Sequence, residues 1–265
     1  LIISISINVL IGYHYSDKYT PTQLFDKFTS SQPTNFEPIQ IPEIYEKQVL
    51  LLSFEKNVFS KQDFGQWKIE IIKKFQNIFE IPDYDDIILM PVEKILEEKH
   101  DEYLLNKYST GAQDNDKIIF YELQPKKDTK TTLCEDKLCY PVVLIIPGSG
   151  NQGALDAINQ SSQFSPYYYH KGIAEKLAKS GYVVFVIENR GWGERGLNVE
   201  MNCEQPDVYC SGNKLHRHLF NLGYNQYSLQ IVDTMQVLKH IHNLDYVDNE
   251  KIAIAGLSLG GPVSI

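Results

Sequence analysis

The sequence predicts an α/β fold, a doubly wound and mostly parallel sheet with helices on both faces. Three segments are almost wholly apolar, as strands buried on both sides must be: PVVLII at 141–146, YVVFVI at 182–187 and KIAIAGL at 251–257. Between them lie segments of helical periodicity, HKGIAEKLAKSG at 170–181 and 225–243, the latter with Leu229, Val232, Met235, Val237, Leu238 and Ile241 at helix-like spacing. Buried strands that alternate with helices require crossover connections, and hence a parallel sheet.

Upstream, KILEEKHDEYLLNKYST (94–110) and KIIFYELQP (117–125) are rich in β-branched and aromatic residues, with the turn-forming GAQDND between them. They are expected to form an antiparallel edge pair. Before them, Trp67, Ile71, Ile72, Phe75, Ile78 and Phe79 follow helical spacing until Pro82, predicting an amphipathic helix between Lys61 and Glu80. The stretch from Ser16 to Pro42 is polar and carries Pro21, Pro33 and Pro38, which suits an extended arm. The expected organisation is an apolar signal or anchor remnant at 1–13, a polar linker at 14–60, a helical extension at 61–90 and the α/β domain at 91–265.

The opening LIISISINVLIGY is too short to span a bilayer, yet it matches the core of an export signal or the end of a membrane anchor. A buried N-terminal strand is the alternative. Export to the periplasm, the extracellular space or a membrane-anchored position is the expectation, with the cytoplasm as the alternative. Four cysteines fall into two local pairs, Cys134 with Cys139 and Cys203 with Cys210. Short-loop disulfides suit export, and surface thiols suit a cytosolic protein. Their spacing is wrong for paired C-x2-C zinc half-sites. A net charge of −9, with no basic block, argues against a grip on nucleic acid phosphates.

The chemistry lies at Gly256-Leu257-Ser258-Leu259-Gly260, the G-x-S-x-G pattern. The pattern alone is weak, but it stands directly after a predicted buried strand, where a nucleophilic serine must ride a sharp turn into a helix. The positions two before and two after the serine crowd the backbone, which is why both are glycine. Serine attack on an acyl carbon creates an oxyanion that needs backbone N–H donors. Leu259 would supply one and the turn Pro147-Gly148-Ser149-Gly150 the other, through Ser149. The alternative is a serine in an ordinary strand-to-helix turn, and a glycine turn that only reverses the chain.

These residues resemble the bacterial α/β-hydrolases grouped with dienelactone hydrolase and acetyl xylan esterase, including exported members. The resemblance spans about Trp67 to Ile265 and rests on the Trp67 helix, the glycine turn after PVVLII, GYVVFVIENRGWGER, and the elbow VDNEKIAIAGLSLGG. Glu188 stands where such proteins usually carry Asp, and Pro147 where they usually carry His. The resemblance implies an α/β-hydrolase sheet incomplete at the C-terminus, with the triad acid and then the triad His downstream of Ile265.

It also implies hydrolysis of carboxylic esters, among them acetyl esters of carbohydrates, through an acyl-enzyme on Ser258. The expected partner is a small-molecule or carbohydrate ester; no cofactor and no metal are expected. His240 and His242 lie near a helix C-terminus, His216 and His218 in an insertion, and His100 and His170 in no recognisable context, so none is assigned as the base. No H-E-x-x-H is present. Glu188 and Arg190 sit at a strand exit, on the face where such sheets place ligands, and the resemblance implies that the arginine is structural. A prolyl-oligopeptidase-like serine peptidase and a non-catalytic binding protein of the same fold are the alternatives.

Overall fold

The computed structural model describes residues 3–7, 59–126, 130–134, 137–150, 153–160, 170–196 and 210–264. Most of the expected linker at 14–60 and the segment holding Cys203 lie outside the described residues. The chain divides into two compact units, one of Leu1–Asn8 with Ile81–Ile265 and the other Val9–Glu80.

In the smaller unit, helix α1 (Lys61–Phe79) begins where the Ser60 hydroxyl accepts from the Asp63 amide and ends at Glu80, in the left-handed region at φ 51°. Its bounds match the predicted helix.

The larger unit is built on a mixed sheet. Its strands are β1 (Ile3–Ile7), β2 (Val92–Lys99), β3 (Tyr103–Gly111), β4 (Lys117–Pro125), β5 (Thr132–Cys134), β6 (Lys137–Ile146), β7 (Val183–Ile187) and β8 (Val247–Leu257). The spatial order is β1-β8-β6-β7-β4-β3-β2, with β5 paired to β6 off this path. The three apolar segments are neighbours: β6 runs parallel to β7 on one side and to β8 on the other. Strands β2, β3 and β4 form an antiparallel meander that joins β7.

The expected edge pair is a three-stranded unit, because the stretch 94–110 is two strands rather than one. It breaks at His100-Asp101-Glu102, where the His100 amide donates to the Tyr103 carbonyl at 3.1 Å. Consecutive polar residues with no buried face to fill favour a turn there. The opening run carries strand β1, parallel to β8 with Ile3 opposite Ala253 and Ile7 opposite Leu257, in line with the strand reading. No helix among the described residues is long and apolar enough to cross a membrane.

Alternation along the central strands divides the core in two. Val142, Leu144, Val183 and Phe185 face Val237, Leu238 and Ile241 of helix α5 (Gln226–His242). Ile145, Val184 and Val186 face Ala154 and Ala157 of α2 (Ala154–Ala157) and Ala174 and Ala178 of α3 (Ile173–Lys179). On the second face both short helices bury alanines against the sheet. Each fully buried Phe, Leu or Ile contributes about 1.5–3 kcal/mol relative to exposure. Helix α4 (Cys210–Asn221) precedes α5, and the short α6 (Gly260–Val263) follows β8.

Candidate active site

Strand β8 delivers the chain into a sharp turn at Ser258, whose φ is 51°. A serine held there is strained by about 1–2 kcal/mol, so the surroundings must impose it. The constraint is visible at both flanking glycines. A Cβ on Gly256 would lie 2.0 Å from the Gly260 carbonyl oxygen, and one on Gly260 would lie 2.1 Å from the Ile146 carbonyl oxygen and 2.7 Å from that of Pro147. The turn closes through the Gly261 amide, which donates to the Ser258 carbonyl at 2.9 Å, and α6 starts at once. Ser258 is exposed while Gly256 and Gly260 are buried.

The contact of Gly260 with Ile146 and Pro147 brings the elbow against the turn that follows β6. Of the residues singled out in the sequence, Gly256, Ser258, Leu259 and Gly260 therefore share one structure with the Pro147–Gly150 turn that holds Ser149. Leu259 has helical backbone angles, φ −53° and ψ −37°, and Ser149 is half-buried.

That turn is held from beneath. The Gly148 amide donates to His170 Nε2 at 2.9 Å, and His170 Nδ1 meets Asp156 Oδ2 at 2.7 Å. Asn189 Nδ2 donates to the Pro147 carbonyl at 2.5 Å. His170, Asp156 and Asn189 are buried, and none was expected here. His170 is 22 positions from Gly148, and no local pattern announces the contact.

The segment after β7 is tied down as firmly. The Glu188 carboxyl is buried and accepts from the Ala154 amide at 3.1 and 3.2 Å; burial pushes its pKa up to about 8. Arg190 makes a bidentate pair with buried Asp233, at 2.6 and 2.7 Å, and a second with Asp114, at 2.6 and 2.9 Å. Arg195 joins Asp233 at 2.8 Å. The structural role expected of Arg190 is the one it fills.

A family model described as Abhydrolase family matches residues 41–264. The chain belongs to the Abhydrolase family. Solved structures agree on the α/β-hydrolase fold. The chain is similar to a Bacteroides fragilis protein assigned as an acetyl xylan esterase, with TM-score 0.65 and 19% identity, covering 88% of this chain and 58% of that one. It is also similar to a methylesterase, with TM-score 0.53 and 16% identity, covering 82% of this chain and 40% of that one. The chain thus spans about half the length of these solved relatives. No curated protein matches it.

Among the described residues of this abhydrolase the remaining histidines have other surroundings. His240 packs against Phe120 and Tyr108, with ring centroids 5.6 and 6.3 Å apart, and burial lowers its pKa. His242 Nδ1 meets Asn249 Oδ1 at 3.0 Å, and His100 stacks on Tyr103. His216 and His218 are exposed on α4. Cys134 and Cys139 are free thiols, on neighbouring strands β5 and β6. Among the described residues no cluster of three or more His, Cys, Asp or Glu could hold a metal ion.

Proposed function

We propose that this chain carries the nucleophile and the oxyanion donors of a serine hydrolase acting on carboxylic esters. The observation that carries the reading is Ser258, exposed at φ 51° between two glycines that have no room for a Cβ. Such an elbow lifts a hydroxyl clear of the sheet and leaves the next amide pointing at the same space.

In this mechanism Ser258 Oγ bonds to the acyl carbon while a general base takes its proton. The Leu259 and Ser149 amides hold the developing oxyanion. Collapse breaks the ester C–O bond, the alcohol leaves with the proton, and water releases the acid from the acyl-enzyme by the same steps. In this fold the acid and the base follow the nucleophile in chain order. The substrate is a small-molecule or carbohydrate ester, with acetyl groups on carbohydrate the preferred class. Likeness to an assigned acetyl xylan esterase and to a methylesterase supports an ester.

The test is made on the full-length protein. A fluorophosphonate should label Ser258, and Ser258→Ala should lower p-nitrophenyl acetate turnover by at least about 10³-fold. Undiminished turnover in the variant would sink the reading.

A further inference from the structure

The peptide unit between Pro147 and Gly148 is gripped at both of its polar atoms by buried side chains. Its oxygen accepts from Asn189 Nδ2 at 2.5 Å, and its N–H donates to His170 Nε2 at 2.9 Å. We infer that His170, backed by Asp156, and Asn189 are positioning residues that lock this peptide plane and so set the direction of the next one, whose N–H is the Ser149 amide proposed for the oxyanion. The inference rests on the esterase reading and extends it to residues that never touch substrate.

The chemistry fixes the protonation pattern. A backbone N–H can only donate, so Nε2 must present its lone pair, and the ring hydrogen sits on Nδ1, where the Asp156 carboxylate accepts it at 2.7 Å. The same carboxylate oxygen accepts from the His170 amide at 3.0 Å, which sets the ring's position as well as its tautomer. Both side chains are only 3% exposed, so water does not compete for these bonds. Asp156 is fixed in turn, since its carbonyl accepts from the Gly172 amide at 3.1 Å and α2 is anchored through the Ala154 amide on Glu188.

The lock has a purpose in this turn. Glycine at 148 lets the plane rotate with little steric resistance, and Pro147 contributes no N–H of its own. An unrestrained peptide could flip, and the compensating change in the Gly148 torsions would re-aim the next peptide, whose N–H is that of Ser149. A ring acceptor on one side and an amide donor on the other oppose that flip from both ends. His170 is thereby kept from acting as the general base, because its Nε2 lone pair is already engaged.

Two contrasting substitutions test this in the full-length protein. His170→Phe keeps a ring but removes the acceptor, whereas the oxygen of His170→Gln reaches the position of Nε2. With p-nitrophenyl acetate, His170→Phe should lower kcat by about 10²-fold with KM within about threefold, the cost of a misplaced oxyanion donor. Affinity for a trifluoromethyl ketone, which binds as a tetrahedral adduct, should fall in parallel. His170→Gln should recover most of both. Asn189→Leu, acting on the other atom of the same peptide, should repeat the kcat-selective loss, and it decides the matter if His170→Phe does not fold. An active enzyme that depends on Ser258 but keeps its kcat in His170→Phe, or in Asn189→Leu where that is the folded variant, overturns the lock and leaves the esterase reading intact. Turnover that survives Ser258→Ala overturns the esterase reading instead.

Discussion

Gly153 and the Glu188 carboxyl occupy adjoining space with no allowance between them: a Cβ on Gly153 would fall 1.8 Å from Glu188 Oε1. Gly193 closes the other side, where a Cβ would fall 2.4 Å from Oε2. Both glycines sit at positive φ, 50° and 49°. The carboxyl is thus enclosed by backbone, and its amide contact with Ala154 ties the exit of β7 to the start of α2.

This enclosure makes stability depend on pH in a defined direction. Burial raises Glu188 from 4.5 to about 8, so between these values the folded protein keeps a proton that the unfolded chain has lost. The stabilisation is complete below about 4.5 and is lost as pH rises toward 8. Glu188→Gln removes the titration. Chemical denaturation should find it within about 1 kcal/mol of the parent near pH 5 and relatively more stable above pH 8. Identical pH slopes would show that the carboxyl is not held protonated.

The elbow glycines are required for space. Gly256→Ala should cost more than about 3 kcal/mol or prevent folding, because its Cβ would meet a backbone oxygen at 2.0 Å. Gly65 in α1 has nothing within 4 Å of a Cβ. Gly65→Ala should therefore stabilise the helix by about 1 kcal/mol. Thermal melts of the two variants check the contrast.

Asp233 is fully buried between two guanidinium groups, Arg190 and Arg195. Asp233→Asn leaves both cations without their shared counter-charge and should cost about 3–5 kcal/mol. Asp114 meets Arg190 from a side chain 40% exposed, so Asp114→Asn should cost about 1 kcal/mol or less. Equal losses in urea titrations would contradict the assigned centre of the network.

The hydrogen bond with Cys139 pushes the Cys134 thiol up to about 11. Little thiolate is present at neutral pH, so iodoacetamide should modify Cys134 slowly. Cys139→Ala should speed that reaction by about tenfold or more near pH 8. Site-resolved mass spectrometry measures the rate, and an unchanged rate would exclude Cys139 as the cause.

The sequence by itself determined the central sheet and the elbow. Runs such as VVFVI can be satisfied only by burial on both faces, and glycine at 256 and 260 around Ser258 is a local steric demand that any reader of the chain can see. It also marked the Pro147–Gly150 turn through its glycines. It did not mark the hairpin at His100, because a strand of this composition differs from two strands only by where the polar residues find a neighbour. Nor did it reveal His170, Asp156 or Asn189, whose partners lie far along the chain. Their roles exist only after β6, β7 and α2 have packed, since a hydrogen bond to a turn amide is set by distance in space and leaves no periodic trace in sequence.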